Sequence, residues 1–379
     1  MTRTLTLASL ALAAQMASAA PCPTRASWPT ASWPSRQAEV ASARASEIAA
    51  LEAYAFTLTG ADAERKGIRT DSVLIIQGGS VVYERYARGY AADKRHLAWS
   101  VTKSFTNALT GIAVGLGAVA LDDSVCKHLP KLPQASCQIR LVDLLEFASG
   151  LDWKETYEGK SNQASSVLAM LYGEGHADMA AFIASHPLRD PPGTTFAYSS
   201  GDATLLSSAI GAALEPAHGA DFPWPLLFDK IGIATAAWER DHEGHLVGSS
   251  YLYATPRDLA RFGFFFLNDG CWAGERILPE GWVADSTAVS QPFLARRLDT
   301  DPTDVQGRQW WLNRPVPAAG IPTPFPDVPE DAYFARGHWG QSISVIPSLD
   351  LVVVRTGDDR DGSLDFDHFL SLAIAVGRP

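Results

Sequence analysis

The 379-residue chain lacks the features of two large classes of protein. Its 31 Lys and Arg residues are outnumbered by 42 Asp and Glu residues, which gives a formal net charge of −11, and they form no basic cluster. A protein of this sign has little attraction for phosphate backbones, so we expect no nucleic-acid partner. No apolar stretch is long enough to span a bilayer, so we expect no stable membrane insertion.

Motifs of several enzyme classes are also missing or broken. There is no Cys-x-x-Cys pair to suggest zinc or redox chemistry, and no Gly-x-Ser-x-Gly elbow of an α/β-hydrolase. The histidines of His242-Glu243-Gly244-His245 are three residues apart, whereas the metalloprotease helix needs four, so this segment is predicted to be a solvated loop. Gly115, Gly117 and Ala120 follow a helix pattern rather than a strand, unlike a Rossmann fingerprint. The sequence therefore implies no metal and no cofactor.

The first 20 residues have the pattern of a secretory signal peptide. Arg3 is followed by the apolar stretch Leu5–Met16 and by Ala17-Ser18-Ala19, a small-residue cleavage motif. We therefore expect cleavage near Ala19 or Ala20 and a periplasmic or secreted protein.

Four cysteines agree with an oxidising compartment, although free buried thiols are an alternative. Cys126 and Cys137 are close in the sequence, so they are expected to pair. That pairing leaves Cys22 with Cys271, and the sequence leaves this second pairing open.

Strand patterns lie at both ends of the chain and helical patterns fill the middle. Val73–Tyr86 is typical of a hairpin, Ser342–Ile346 and Leu351–Arg355 flank a turn, and Gln309–Leu312 is a further candidate strand. Helices are predicted over Gln37–Phe56 and, with Ser363 as its cap, over Leu364–Val376.

These patterns predict an α/β (α+β) fold with one antiparallel sheet made from both chain ends, flanked by terminal helices and carrying an inserted all-helical domain. The predicted limits are a signal peptide over 1–20, an extended linker over 21–35, a sheet domain over 36–99 and 250–379, and a helical domain over 100–249.

One serine–lysine pair stands in a context that suits catalysis. Ser100-Val101-Thr102-Lys103 is an S-x-x-K tetrad that opens a predicted helix with one apolar face. Residues i and i+3 share a helix face, and a seryl hydroxyl needs a base beside it to act as a nucleophile. A second tetrad, Ser124-Val125-Cys126-Lys127, lies in a loop pattern, and Ser124 and Lys127 are predicted to be surface residues.

Three motifs together resemble the serine β-lactamase and penicillin-binding-protein superfamily. They are Ser100-x-x-Lys103, Tyr198-Ser199-Ser200 and Gly337-His338-Trp339-Gly340-Gln341 on a late strand. The resemblance covers roughly residues 70 to 379 and is closest to the class C-like branch, which includes esterases, D-aminopeptidase-type peptidases and 6-aminohexanoate-dimer hydrolases. It implies the β-lactamase/transpeptidase-like fold.

The resemblance also implies roles for individual residues. Ser100 is expected to form an acyl-enzyme, and Lys103 and Tyr198 are expected to share the proton transfers; which of the two is the base in acylation is left open. The backbone N–H groups of Ser100 and Gln341 are expected to hold the oxyanion. The residues expected to bind substrate are Ser200, His338, Trp339, Gly340 and, on a loop over the cleft, Tyr157.

Two departures from the family pattern affect the expected substrate. His338-Trp339-Gly340 stands where β-lactamases have Lys-Thr-Gly, and Ser200 stands where they usually have Asn. Both changes favour an exported esterase or 6-aminohexanoate-oligomer-type amidase that acts on a small-molecule ester or amide. The alternatives are a β-lactamase or D-Ala-D-Ala carboxypeptidase, and a non-catalytic exported binding protein with the same fold.

Overall fold

The computed structural model describes residues 21–59, 61–157, 161, 164–298 and 304–378. The predicted signal peptide, residues 1–20, lies outside the described residues. The strands are β1 (Thr70–Gln77), β2 (Ser80–Tyr86), β3 (His96–Leu97), β4 (Ala237–Trp238), β5 (Leu252–Ala254), β6 (Cys271–Trp272), β7 (Glu275–Arg276), β8 (Trp311–Leu312), β9 (Tyr333–Gly337), β10 (Gln341–Ile346) and β11 (Leu351–Gly357).

The main sheet in the described residues is six-stranded, with the order β2-β1-β11-β10-β9-β8. Every neighbouring pair in it is antiparallel, and β1 from the start of the chain pairs with β11 from its end. The predicted fold class, with one antiparallel sheet made from both chain ends, is therefore confirmed. Smaller sheets join β3, β5 and β4, and β6 and β7.

Helices cover both faces of the main sheet and fill the region between β3 and β5. No described helix has both the length and the apolar composition needed to cross a membrane. The helices are α1 (Gln37–Ala43), α2 (Ala45–Ala55), α3 (Thr102–Gly115), α4 (Val125–His128), α5 (Leu141–Leu145), α6 (Ser166–Tyr172), α7 (Met179–Ala184), α8 (Ser200–His218), α9 (Asp229–Ile231), α10 (Pro256–Leu267), α11 (Trp282–Ser286), α12 (Gln291–Ala295) and α13 (Phe366–Gly377).

Strand β1 shows how one apolar run serves two cores. Successive residues on a strand point to opposite faces of the sheet. Leu74 and Ile76 belong to the core that contains α3 and α10, whereas Val73 and Ile75 belong to the core that contains α13. All four side chains are fully buried, which explains why this strand reads as a continuous apolar stretch instead of an alternating one.

Two predicted helices differ from the structure in their bounds. The helix predicted over Gln37–Phe56 is broken at Arg44, because α1 contacts β2 whereas α2 packs along α13. The last helix begins two residues later than predicted, since its N-cap is Asp365, whose carboxylate accepts a hydrogen bond from His368 N. The Ser363 hydroxyl donates to Asp361 instead.

Two disulfides fasten peripheral segments to the body of the protein. Cys22 is bonded to Cys271 with a Cα–Cα distance of 5.7 Å, which ties the extended segment 21–35 to β6. Cys126 is bonded to Cys137 with a Cα–Cα distance of 5.0 Å. The structure thus contains the pairing that the sequence analysis expected.

Candidate active site

Ser100 and Lys103 lie at the start of α3, one helical turn apart. Ser100 occupies a short 3-10 turn, Trp99–Val101, that runs directly into the helix, and Trp99 has a left-handed backbone with φ of 49°. The Lys103 Nζ lies 2.9 Å from the Ser100 Oγ. The sequence-predicted pair is therefore in direct contact, as a nucleophile and its base must be.

The Lys103 amine is buried among oxygen atoms. Its Nζ is 3.0 Å from Ser200 Oγ at the start of α8 and 3.2 Å from the carbonyl oxygen of Ser249. Burial lowers the pKa of Lys103 from 10.5 to about 8, against the negative charge of Glu155, which raises it. About a tenth of the amine is therefore neutral at pH 7, and only the neutral form accepts a proton.

Tyr198 contacts the same serine, and it directly precedes Ser199, the N-cap residue of α8. The Ser199 hydroxyl accepts a hydrogen bond from Asp202 N and so fixes the start of this helix. The Lys103 Nζ lies 4.9 Å from the centre of the Tyr198 ring. Burial, and next the charge of Glu155, raise the pKa of Tyr198 well above 10, while a hydrogen bond with Ser100 lowers it. Tyr198 is therefore a protonated phenol within hydrogen-bond contact of the serine.

Ser100 and Tyr198 border a cavity of about 590 Å³. Its walls combine aromatic side chains with a few charged ones, a composition that is common for small-molecule sites. The lining residues are Ser100, Glu155, Tyr157, Phe196, Tyr198, Leu298, Asp304, Gln306, Trp311, Arg336, Gly337 and His338.

The third motif packs on the backbone of Ser100 through Gly337. A Cβ on Gly337 would lie 2.4 Å from the Ala98 carbonyl oxygen and 3.2 Å from the Ser100 amide nitrogen. Only a glycine at the end of β9 therefore lets this strand pack on the backbone of the nucleophile. Gly337 and the following residue, His338, form the wall of the cavity beside Ser100.

Gln341, whose backbone N–H is the second expected oxyanion donor, follows the same turn. It opens β10, is only 2% exposed, and its amide group donates to the carbonyl oxygens of His338 at 3.0 Å and Gly357 at 2.7 Å. The Gln341 side chain therefore braces the turn that carries His338, and the oxyanion role of its backbone N–H stays a prediction.

Gly340 also has a structural reason to be glycine. Its φ is 91°, and a Cβ there would lie 2.3 Å from both Arg355 Nη1 and Asp359 Oδ2. These two residues form a buried ion pair, and Arg355 also donates to the Gly340 carbonyl oxygen at 2.9 Å. The buried ion pair therefore gives a packing reason for glycine at this position, and a part of Gly340 in binding substrate stays a prediction.

The remaining residues expected to bind substrate lie around the cleft. Tyr157 and His338 have stacked rings 4.9 Å apart and line both the large cavity and a smaller, apolar one of about 200 Å³. Trp339 lines the smaller cavity, and Ser200 contacts Lys103. Their part in binding substrate stays a prediction.

The sequence analysis missed Glu155, which lies on the cavity wall between Tyr157 and Ser200. Its carboxylate accepts hydrogen bonds from Trp153 Nε1 at 2.6 Å and from the backbone nitrogen of Ser200 at 2.9 Å. A signal was available: Trp153, Glu155 and Tyr157 alternate in an extended segment, and alternate residues of an extended chain point to one side.

The segment predicted to be a solvated loop contributes to a group of polar side chains away from the cavity. Ligand atoms of Asp178, Asp241 and His245 lie within 4.8 Å of one another. Asp241 already accepts from the backbone nitrogens of Met179 and His245, and Asp178 caps α7. The two carboxylates therefore have structural partners within the protein.

Known proteins are similar to this chain in sequence and in fold. A family model described as Beta-lactamase matches residues 55–367. The chain is 26% identical over 352 residues to a 6-aminohexanoate-dimer hydrolase from Paenarthrobacter ureafaciens, covering 88% of this chain and 83% of that protein. Among solved structures, EstCE1, a hydrolase with promiscuous acyltransferase activity, has a TM-score of 0.62 at 16% identity, covering 88% of this chain and 99% of that one. A class C beta-lactamase has a TM-score of 0.59 at 15% identity, covering 90% and 96%.

Proposed function

The chain belongs to the Beta-lactamase family, and from this premise we propose that it is an exported serine hydrolase that cleaves an ester or amide through an acyl-enzyme on Ser100. The observation that carries the proposal is the contact of 2.9 Å between Ser100 Oγ and the buried amine of Lys103. A lysine that is held partly neutral by burial can activate a seryl hydroxyl at neutral pH.

Acylation then follows from the positions of three side chains. The Ser100 Oγ attacks the carbonyl carbon of the substrate, and its proton passes to a basic group beside it. The bond between that carbon and the leaving group breaks as the leaving group takes a proton from the Tyr198 phenol. The proton first taken from Ser100 then restores the phenol, so that the acyl-enzyme forms with no net change of charge.

The negative oxygen of the tetrahedral intermediate needs two fixed donors. We assign them to the backbone N–H groups of Ser100 and His338, in place of Gln341, because Gly337 and His338 border the cavity next to Ser100. Removing one such donor typically costs about 3–4 kcal/mol of transition-state stabilisation. In the second half of the reaction a water oxygen attacks the acyl carbon while one of its protons passes to the same basic group. The bond between that carbon and the Ser100 Oγ then breaks, and the Oγ takes up this proton as the acid leaves.

The charges around the cavity favour a substrate without a carboxylate near the reacting bond. Arg336 lines the cavity, but it forms an ion pair of 3.4 Å with Asp304, and Glu155 adds a further negative charge. On the cavity wall itself an anionic substrate would meet two carboxylates and one guanidinium, while the Lys103 amine lies behind Ser100 and does not line the cavity. A neutral ester, or an amide that carries an amine like that of 6-aminohexanoate oligomers, is therefore the substrate class that we propose.

A β-lactamase or D-Ala-D-Ala carboxypeptidase is the second candidate function. The observation in its favour is the Arg336 guanidinium on the cavity wall, since such a group can bind the carboxylate of these substrates. Its ion pair with Asp304 weakens this candidate.

Export is supported by the two disulfides of the structure. Bonds such as Cys22–Cys271 and Cys126–Cys137 persist in oxidising compartments and are rare in the cytosol of mesophiles.

The test is acylation of a single serine. We expect a short-chain p-nitrophenyl ester to give a burst of p-nitrophenol, and a covalent serine probe to label Ser100 alone. Ser100→Ala should abolish the burst and the label and lower turnover by roughly 10³-fold or more, whereas Ser124→Ala, the matched control, should keep both.

Equal labelling of the Ser100→Ala protein would contradict the proposal, as would an unreactive Ser100 in the folded wild type. Faster cleavage of nitrocefin than of esters and amides would favour the second candidate.

A further inference from the structure

Glu155 is surrounded by donors on both of its oxygens. One oxygen accepts from Trp153 Nε1 and the Ser200 backbone nitrogen. The other accepts from the hydroxyls of Tyr157 and Ser200, each at 2.5 Å. Four donors can be satisfied only by a carboxylate that carries no proton, since an ionised carboxylate is acceptor-only.

This arrangement fixes the direction of the Ser200 hydroxyl. A serine hydroxyl has one hydrogen and two lone pairs. Because Ser200 gives its hydrogen to Glu155, it faces the Lys103 Nζ, 3.0 Å away, with a lone pair. Ser200 can therefore accept a hydrogen bond from Lys103 but cannot donate one to it.

The hydrogen bonds of Lys103 then follow by counting. The protonated amine has three hydrogens and three oxygen neighbours, namely Ser100 Oγ, Ser200 Oγ and the Ser249 carbonyl oxygen. The neutral amine has two hydrogens and one lone pair. The Ser249 carbonyl oxygen can only accept, and the Ser200 hydroxyl can only accept from Lys103 because its own hydrogen goes to Glu155. Both hydrogens of the neutral amine therefore go to these two groups. The lone pair is left facing Ser100.

We propose that Glu155 and Ser200 are positioning residues that aim the lone pair of neutral Lys103 at the Ser100 hydroxyl, and that Lys103 is therefore the base of acylation and Tyr198 the acid. The inference rests on the proposed function and answers the question that the three motifs leave open. In the step itself, the Ser100 O–H bond breaks, its proton joins the Lys103 Nζ to give an ammonium ion, and the Oγ electron pair forms the bond to the substrate carbon.

The charges around Lys103 are consistent with this division of roles. The titratable groups that face it are Glu155 and Tyr157 from the segment before α6 and Tyr198 from the segment before α8. Burial raises the pKa of both tyrosines well above 10, so they remain hydrogen donors. Glu155 favours the charged form of Lys103, so its removal should shift the titration of Lys103 to lower pH.

The first arm of the test separates the base from the acid. A p-nitrophenolate leaving group departs without a proton, whereas an alkoxide or amine needs one. With Lys103 as the base, Tyr198→Phe should keep the burst rate constant for a p-nitrophenyl ester within about tenfold of wild type, and should lose at least about 100-fold in acylation by the matching alkyl ester or amide. If Tyr198 were the base, both substrates would lose acylation to the same extent, and that result would overturn the assignment.

The second arm tests the positioning residues against a serine on the same helix. Ser208 is buried like Ser200, but its hydroxyl donates to Thr204 O within α8, remote from Lys103. Ser200→Ala should lower the burst rate constant about tenfold with little change in KM, because one amine hydrogen loses its acceptor, and Ser208→Ala should lower it less than twofold.

Glu155→Gln adds a readout that loss of packing would not change. The glutamine has an NH2 group where the carboxylate has an oxygen, so this donor would face hydrogens that the wild-type carboxylate accepts, and the plateau rate should fall. The acid limb of kcat/KM should move to lower pH, because the negative charge that raises the pKa of Lys103 is removed. An unmoved acid limb, or equal behaviour of Ser200→Ala and Ser208→Ala, would refute the positioning role. Both results require a wild type with a burst on Ser100, so they are distinguishable from failure of the proposed function.

Discussion

The chain contains the same four-residue pattern twice, and its two copies have opposite surroundings. At Ser100–Lys103 the lysine is fully buried and its amine contacts the serine at 2.9 Å. At Ser124–Lys127 the lysine side chain is 59% exposed and pairs with Asp123 at 2.7 Å. The Ser124 hydroxyl turns away from the lysine and donates to the carbonyl oxygen of Cys137.

The difference shows that the spacing brings a serine and a lysine together only where the surrounding structure closes over them. Helix α3 packs on α8, which carries Ser200, and the chain at Ser249 covers the same amine. Helix α4 has only four residues, and its Lys127 side chain lies in solvent. In the first copy this burial removes the amine from water and lowers the pKa of Lys103.

The largest expected effect is on the two lysines. Lys103→Ala should reduce acylation of a p-nitrophenyl ester by about 10²–10⁴-fold, the usual contribution of a general base. Lys127→Ala should leave kcat and KM unchanged and cost no more than about 1 kcal/mol of unfolding free energy, because an exposed ion pair contributes little. Burst kinetics and urea unfolding of both variants make the comparison. Comparable losses of acylation in the two variants would show that the contrast in burial does not decide function.

A smaller effect is expected from pH. Catalysis requires neutral Lys103, whose pKa is about 8, so kcat/KM should rise as pH increases through 8 and reach at pH 7 about a tenth of its plateau. No alkaline limb should appear below pH 10, because the pKa of Tyr198 is raised well above 10. Initial rates from pH 6 to 10 measure both features.

Asp202 supplies the control for this profile. Burial raises its pKa to about 7, and it lies on the first turn of α8, next to Ser200. An Asp202→Asn variant should keep the acid limb near pH 8. If the limb disappears in that variant, the titrating group is Asp202 and the role of Lys103 in the profile is wrong.

The sequence predicted what local patterns and motifs encode. The hairpin at Val73–Tyr86 and the late strands were sufficient for the sheet, and the motifs at Ser100 and Tyr198 were sufficient to identify residues that meet in the structure. What it did not predict depends on contacts between distant segments. Glu155 acts on Ser200 across 45 positions of the chain.

The third motif shows the same limit over a few residues. Gly337 and Gly340 are both glycines in one short turn, and the sequence does not say which of them faces the nucleophile. Contact with Ala98 and Ser100 selects Gly337, while the buried Arg355–Asp359 pair occupies the space beside Gly340. We therefore propose His338, three residues before the expected Gln341, as the second oxyanion donor.

The smallest expected effect on turnover comes from opening the loop that holds the second tetrad. Cys126→Ser with Cys137→Ser removes a disulfide that joins residues 11 positions apart, and the loss of this constraint should cost up to about 3 kcal/mol of unfolding free energy. The value of kcat/KM should stay within twofold of wild type, because Ser124 and Lys127 have no part in the reaction. Helix α4 nevertheless packs on α8, the helix that begins beside Tyr198. A marked loss of turnover in a variant that remains folded would therefore mean that the second tetrad supports the first through α8.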